Sequence, residues 1–337
     1  MNARCAVVVI DSASVEVAVE MGCFALVTES GSKRIHPKRV KALIIQSNPR
    51  LSAAAIRLAA EHEVHVVFLN AIGEVHSSLV SPFAKRIPTL RRAQSHFTES
   101  SSGRRWAKEL LVQKAQRQAR NMRSWFNGND PAWRQFESQW NRFEASLESG
   151  EGENWRAVLM GAEGALSRVY WQATSTALPL EWRFDKRSRR PAQSAFNAVL
   201  NYSYGMLYHE VELAILSAGF DPSQAMLHVD RFARSTLAFD LIEPFRPLVD
   251  FACVKVLNEP DAPSPEEHVD SLETGGLSLN RTGKAFWIPV IRSLLRSQVH
   301  AFGKVAHFRT HLARLAAAFE AEAMKTYQQR HDVFRDL

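Results

Sequence analysis

The segment Met226–Pro247, MLHVDRFARSTLAFDLIEPFRP, sets a histidine and two spaced carboxylates among apolar residues. His228 leads. Asp240 and Glu243 follow in a stretch of Thr236, Leu237, Ala238, Phe239, Leu241 and Ile242 that reads as a helix closed by Pro244. Side chains at i and i+3 share a helix face, so both carboxylates are expected to point the same way. Acids among apolar neighbours are costly to bury without a positive partner. A divalent cation meets that need, and a mixed histidine and carboxylate set suits Mg²⁺ or Mn²⁺ better than it suits metals that prefer thiolates. Asp230 is a rival ligand in the same segment, and Arg234 or Arg246 could instead pair with the acids in a structural network.

A third acid stands apart. Glu163 lies in Met160-Gly-Ala-Glu-Gly164, the one carboxylate of an otherwise apolar helical run through Leu166, Val169, Tyr170 and Trp171. Gly161 and Gly164 each weaken a helix by up to about 1 kcal/mol against alanine, which suggests close approach by another element or a ligand. Pairing with Arg168 is the purely structural alternative.

Positive charge is concentrated rather than spread. From Lys85 to Arg123 there are eleven Lys and Arg against Glu99 and Glu109, an excess of nine in a chain whose net charge is +7. A second cluster, Arg183, Lys186, Arg187, Arg189 and Arg190, contains one acid, Asp185. Such clusters are the electrostatic footprint of a polyanion. Ser194 is placed to cap a helix carrying Asn197, Asn201, Tyr202 and Tyr204, and a helix N-terminus beside arginines favours phosphate oxygens. Acids to hold an ion and bases to hold an anionic backbone are the two halves of metal-assisted phosphoryl transfer.

These residues need a scaffold. A chain of 337 residues implies two domains. Residues 1–86 alternate short β-branched runs with turns: Cys5–Ile10, Val15–Met21, Phe24–Thr28, Val40–Gln46, Val64–Asn70 and Val75–Val80. Asn48-Pro49 opens a helix there through Leu51–His62, and Glu29-Ser30-Gly31-Ser32 reads as a turn. Residues 87–337 carry helical periodicity in Trp106–Trp125, Trp133–Leu147, Trp155–Thr176, Ser194–Ser217, Ser235–Leu257 and Trp287–Tyr327. The acidic, proline-containing stretch Asn258–Gly276 reads as an exposed loop. The fold class is therefore α+β by domain, a small β-rich N-terminal domain followed by a large all-α domain. No apolar run approaches the roughly 20 residues of a membrane span, and no secretory signal is recognisable. Cys5, Cys23 and Cys253 have no metal-ligand spacing and fit a reduced, cytoplasmic protein.

Four stretches together resemble one family. They are 38–82 (KRVKALIIQSNPRLSAAAIRLAAEHEVHVVFLNAIGEVHSSLVSP), 161–171 (GAEGALSRVYW), 187–208 (RSRRPAQSAFNAVLNYSYGMLY) and 218–250 (AGFDPSQAMLHVDRFARSTLAFDLIEPFRPLVD). In content and order the chain resembles the CRISPR adaptation integrases, which insert new spacers into a CRISPR array. The resemblance implies a β-rich N-terminal dimerisation domain, an α-helical catalytic and DNA-binding domain, and a homodimer assembled with a small ferredoxin-like second CRISPR adaptation protein. It implies Mg²⁺ or Mn²⁺ held by Glu163, His228 and Glu243, with Asp240 contributing beside them. Prespacer and repeat DNA would be bound through Arg183, Lys186, Arg187, Arg189, Arg190, Arg234 and Arg246. Two departures from the family pattern stand out: Ala233 precedes Arg234 where glycine is usual, and Pro191-Ala-Gln-Ser-Ala195 replaces a more proline-rich loop. The activity implied is attack of a DNA 3′-hydroxyl on a repeat phosphodiester, with no covalent enzyme intermediate. A non-catalytic basic DNA-binding subunit would keep the basic clusters without needing the acids, and a hydrolase of small phosphate esters would need the acids without long DNA.

Overall fold

The computed structural model describes residues 6–69, 75–79, 86–149, 152–228, 235–273 and 275–333. Its N-terminal part is two four-stranded sheets around one helix. The strands are β1 (Ala6–Ile10), β2 (Glu16–Glu20), β3 (Cys23–Thr28), β4 (Gly31–Ile35), β5 (Val40–Ile45) and β6 (Arg50–Leu51); the helix α1 (Ala53–Glu61) is followed by β7 (His65–Leu69) and β8 (Val75–Leu79). One sheet runs β1-β5-β7-β8, parallel except for the β7–β8 pair; the other runs β4-β3-β2-β6. The period-2 alternation of a strand divides Ala42–Ile45 between two faces, and a bulge at Lys41 returns Val40 to the same face as Leu43 and Ile45. Val40, Leu43 and Ile45 join Val17, Phe24, Leu58 and Val66 in the core between the sheets and α1. Ala42 and Ile44, with Val67, face the other way against Leu216. Burial on both faces explains why Ala42–Ile45 reads as an unbroken apolar run.

Two local readings change. Gly31–Ile35 is a strand paired with β3, not the tail of a turn. The helix after Pro49 begins at Ala53, because Arg50 and Leu51 pair with Glu16 and Val17 and the Ser52 hydroxyl caps the helix, accepting from Ala55 N at 3.1 Å. A serine cap and strand pairing outweigh a proline start.

The remainder is a largely helical assembly. It comprises α2 (Arg86–Glu99), α3 (Ser101–Trp125), α4 (Pro131–Ser149), α5 (Trp155–Thr176), α6 (Ala195–Ala218), α7 (Thr236–Leu241), α8 (Arg246–Leu257), α9 (Pro265–His268), α10 (Arg281–Arg296) and α11 (Phe308–Val333). A continuous core joins these helices, with Tyr170, Phe196, Phe245, Trp287, Phe308 and Phe319 fully buried. Two short ribbons interrupt them: β9 (Val269–Ser271) with β10 (Leu277–Leu279), and β11 (Gln298–Ala301) with β12 (Lys304–His307). The first ribbon and α9 replace much of the loop expected over residues 258–276. The second splits the long helical run expected over residues 287–327, with Phe302 and Gly303 at positive φ forming its turn.

Candidate metal and DNA site

Four elements supply the site. α6 is anchored by the Ser194 cap, whose hydroxyl accepts from Asn197 N at 3.2 Å, and ends at Gly219 with φ 91°, a left-handed stop that glycine favours. α5 presents Glu163 and α3 presents Lys114. The segment after Ser235 presents Asp240 and Glu243, and its path explains their difference. α7 stops at Leu241, a 3₁₀ turn runs Glu243–Phe245, and α8 restarts at Arg246 with Pro247 in its first turn. The expectation of one helix face for both acids is therefore replaced by two separate roles.

Glu163 and Glu243 converge on a single cation. The Lys114 ammonium lies in ion-pair contact with Glu163 Oε1 and 2.6 Å from Glu243 Oε2. Glu163 Oε1 also accepts from the Ser167 hydroxyl at 2.6 Å, so Lys114, not Arg168, is its basic partner. Glu243 Oε1 faces Arg246 Nε at 3.1 Å. The Lys114–Glu243 and Arg246–Glu243 contacts are ion pairs without the alignment of a hydrogen bond. Burial alone would raise the Glu243 carboxyl. The fields of Arg246 and Lys114 override it and hold the carboxyl at about 2. Burial opposes the charge on Lys114, yet Glu163 and Glu243 overcome it and raise the ammonium above its ordinary value.

Asp240 faces the other way. Its carboxylate is 1% exposed and accepts from the backbone N–H groups of Met226 (2.6 Å), Leu227 (2.9 Å) and His228 (3.2 Å). It also lies 2.7 Å from His228 Nδ1. An acceptor already taking three N–H groups requires the ring proton on Nδ1, which leaves the Nε2 lone pair available. Arg156 Nε donates to Met226 O at 2.7 Å and fixes the same loop from α5. Asp240 is thus a positioning residue for His228, the carboxylate-to-histidine arrangement that orients metal-ligating imidazoles.

Whether these groups suit a divalent ion can be judged from the donors themselves. Two carboxylates aimed at one cation, and an imidazole oriented by Asp240 with its Nε2 lone pair available, match the oxygen-rich, histidine-tolerant preference of Mg²⁺ or Mn²⁺. Among the described residues no three His, Cys, Asp or Glu side chains stand together as a finished cage. The Lys114 ammonium stands between the two acids.

Behind the site lies a buried polar hub. The Asp250 carboxylate accepts from Tyr170 OH at 3.1 Å and from Tyr204 OH. Burial pushes it up to about 7, against the lowering effect of both hydroxyls and Arg187. Arg187 lies over Trp171 and Tyr204, at 5.7 and 5.5 Å to the ring centroids, and donates to Asn197 Oδ1 (2.9 Å) and Asn201 Oδ1 (2.7 Å). Arg246 lies over the Tyr204 ring at 4.9 Å. Lys186, Arg189 and Arg190 are exposed, as is Arg183, which donates to the carbonyls of Leu178 and Thr176. Arg234 and Asp230 lie outside the described residues. The sequence alone does not single out Lys114, because it sits in the basic stretch that reads as the footprint of a polyanion. Its signal was spacing: with Leu110, Leu111, Ala115 and Gln118 it falls on the buried stripe of α3.

The family model described as "CRISPR associated protein Cas1" matches residues 8–288. The chain belongs to the Cas1 family. A Cas1 endonuclease of Archaeoglobus fulgidus is 32% identical over 257 residues, covering 71% of this chain and 74% of the relative. One from Saccharolobus solfataricus is 27% identical, covering 69% of each. The fold is shared with a solved CAS1 protein from Thermotoga maritima (TM-score 0.75, 21% identity, 96% of this chain and 98% of that one). It is also shared with a casposase bound to integration product (TM-score 0.74, 22% identity, 94% and 96%). A chain of a Cas6-RT-Cas1–Cas2 complex matches 96% of this Cas1-family chain over 35% of its own length (TM-score 0.66, 18% identity).

Proposed function

We propose that this Cas1-family chain is a divalent-metal-dependent DNA integrase and endonuclease of CRISPR adaptation. The 3′-hydroxyl of an incoming DNA fragment attacks a phosphodiester at the repeat boundary. A new O–P bond forms as the old P–O3′ bond breaks; the attacking hydroxyl gives up its proton and the departing 3′-oxygen gains one. Relatives named as endonucleases, and a shared fold with a casposase bound to integration product, support this reading. The observation that carries it is the convergence of Glu163 and Glu243, from separate elements of the chain, on one cation.

Glu163, Glu243 and His228 Nε2 would hold Mg²⁺ or Mn²⁺. Such an ion supplies Lewis-acid polarisation of a phosphoryl oxygen and stabilises developing charge. The protein's own groups do the positioning. Asp240 holds His228 in one tautomer and one orientation. Arg246 keeps Glu243 ionised, and Ser167 fixes the Glu163 rotamer. The exposed Lys186, Arg189 and Arg190 would neutralise DNA backbone phosphates, an interaction that weakens steeply with salt and carries little sequence information. Arg187 and Arg246, held by protein partners, would shape this surface from beneath. Assembly with a Cas2-type partner is supported by the Cas1–Cas2 complex of a structurally similar chain; that the partner is small and ferredoxin-like, and that this chain works as a homodimer, is the reading that the family resemblance adds.

The test is integration of a labelled prespacer into a supercoiled array plasmid, with the partner subunit and with or without Mg²⁺ or Mn²⁺. Glu163→Ala is expected to lose integration and cleavage while still binding DNA. Wild-type levels of integration by that variant would refute the assignment.

A further inference from the structure

Lys114 occupies the place an ion would need. Its ammonium bridges the two carboxylates, Glu163 and Glu243, that are the site's anionic donors. Its side chain is only 11% exposed, so the charge is held there by those acids rather than by water. Both oxygens of Glu243 are taken, Oε1 by Arg246 and Oε2 by Lys114, and Glu163 Oε1 serves Lys114 and Ser167 together. Mg²⁺ binds oxygens at about 2.0–2.1 Å. An ion at that distance from the same oxygens competes directly with the ammonium.

Charge balance points the same way. Two carboxylates against Lys114 and Arg246 make a neutral set. A dication added to it without any release leaves two uncompensated positive charges in a partly buried site, where like charges repel far more strongly than in water. Release of Lys114 removes half of that excess, one approaching phosphodiester removes the rest, and a second phosphate along the strand meets the freed ammonium. The flexible four-carbon stem of lysine permits such a swing, which the rigid guanidinium of Arg246 does not match. Glu163 is the more exposed of the two acids, 18% against 8%, so it is on the side nearer solvent.

We propose that Lys114 is the resident cation of the ion-free site: it holds Glu163 and Glu243 together, is displaced when a divalent ion binds, and then donates to a phosphate oxygen of the DNA. The proposal rests on the metal site described above. It makes ion binding and strand engagement parts of one exchange, in which the ammonium leaves two carboxylates and regains an anion on the nucleic acid.

The experiment uses full-length, DNA-free protein. Lys114→Met is expected to bind Mn²⁺ at least tenfold more tightly than wild type by titration calorimetry. In EDTA it should melt below wild type, and saturating Mn²⁺ should restore more of its melting temperature than it adds to the wild type. A second measurement keeps the native lysine: reductive methylation of Lys114, followed by mass spectrometry, is expected to be slow in EDTA and several-fold faster with Mn²⁺. Mn²⁺ affinity of Lys114→Met at or below wild type overturns the proposal, as does equal methylation in both conditions; the methylation result decides if the variant does not fold. Glu163→Gln separates the two levels. Mn²⁺ binding that is absent from wild type and Lys114→Met alike, or indifferent to Glu163→Gln, removes the metal site and the exchange together. Binding that needs Glu163 but ignores Lys114 removes the exchange alone.

Discussion

Replacing Asp240 by asparagine tests the architecture of the site through a residue that touches no substrate. The carboxylate accepts four N–H groups, three from the backbone of residues 226–228 and one from the His228 ring. Asparagine offers one acceptor oxygen and an NH₂. With its oxygen on the Met226 and Leu227 side, the NH₂ faces the His228 N–H and Nδ1. The imidazole can adapt by moving its proton to Nε2 and accepting at Nδ1, whereas the His228 backbone N–H cannot. One buried donor left unpaired, together with charge-assisted bonds made neutral, amounts to a loss of about 2–3 kcal/mol in stability. The moved proton blocks the lone pair required for an ion, so Mn²⁺ affinity should fall 10–100-fold, as for other lost partners of ligating histidines. Chemical denaturation, Mn²⁺ calorimetry and nitrogen NMR of the imidazole measure the three effects separately. An Asp240→Asn protein that keeps its stability, its Nδ1–H tautomer and its Mn²⁺ affinity would refute the reasoning.

Further outcomes follow from the surrounding network. Arg187→Lys should cost about 1–3 kcal/mol, because an ammonium cannot span Asn197 and Asn201 while lying flat on Trp171 and Tyr204; urea denaturation checks it. Arg189→Ala and Arg190→Ala should leave stability within about 0.5 kcal/mol of wild type, yet lower the salt dependence of DNA affinity by about one phosphate contact each. Asp250 binds its proton more tightly in the folded chain, at about 7 against an ordinary 3.8. Its contribution to stability is therefore greatest below pH 4 and is lost as pH rises to 7, by about 4 kcal/mol. Asp250→Asn should flatten the stability profile across that window, as read from melting temperatures at successive pH values.

Sequence pattern carries the helices of this protein well and its polar interior poorly. Trp155–Thr176 and the Ser194-capped helix are legible because apolar periodicity and a capping hydroxyl act locally. The hairpins β9–β10 and β11–β12 are not, since a three- or four-residue strand has too little alternation to stand against flanking helical pattern. Glu163, His228 and Glu243 could be nominated as acids and a histidine in apolar company. The separate duties of Asp240 and Glu243 could not, because a change from α-helix to 3₁₀ turn over a few residues redirects a side chain without altering its neighbours in sequence. Lys114 illustrates the same limit. A run of eleven basic residues reads as one charged face, and only the packing of α3 against α5 and the 3₁₀ turn shows that Lys114 and Arg117 turn inward.

Helix α6 bears on all of these groups at once. Near its start Asn197 and Asn201 grip Arg187, Tyr204 meets Asp250 one turn on, and Tyr208 OH reaches the Ser235 carbonyl at 3.1 Å where α7 begins. Its last turn takes Leu216 into the apolar seat of Ala42, Ile44 and Val67, with the Leu216 carbonyl in contact with His65 Nδ1. A rod of 24 residues, about 36 Å long, therefore ties the far sheet to the arginine loop and the carboxylates. Strain applied at the N-terminal strands would therefore reach the Arg187 loop and Asp250 through one stiff beam.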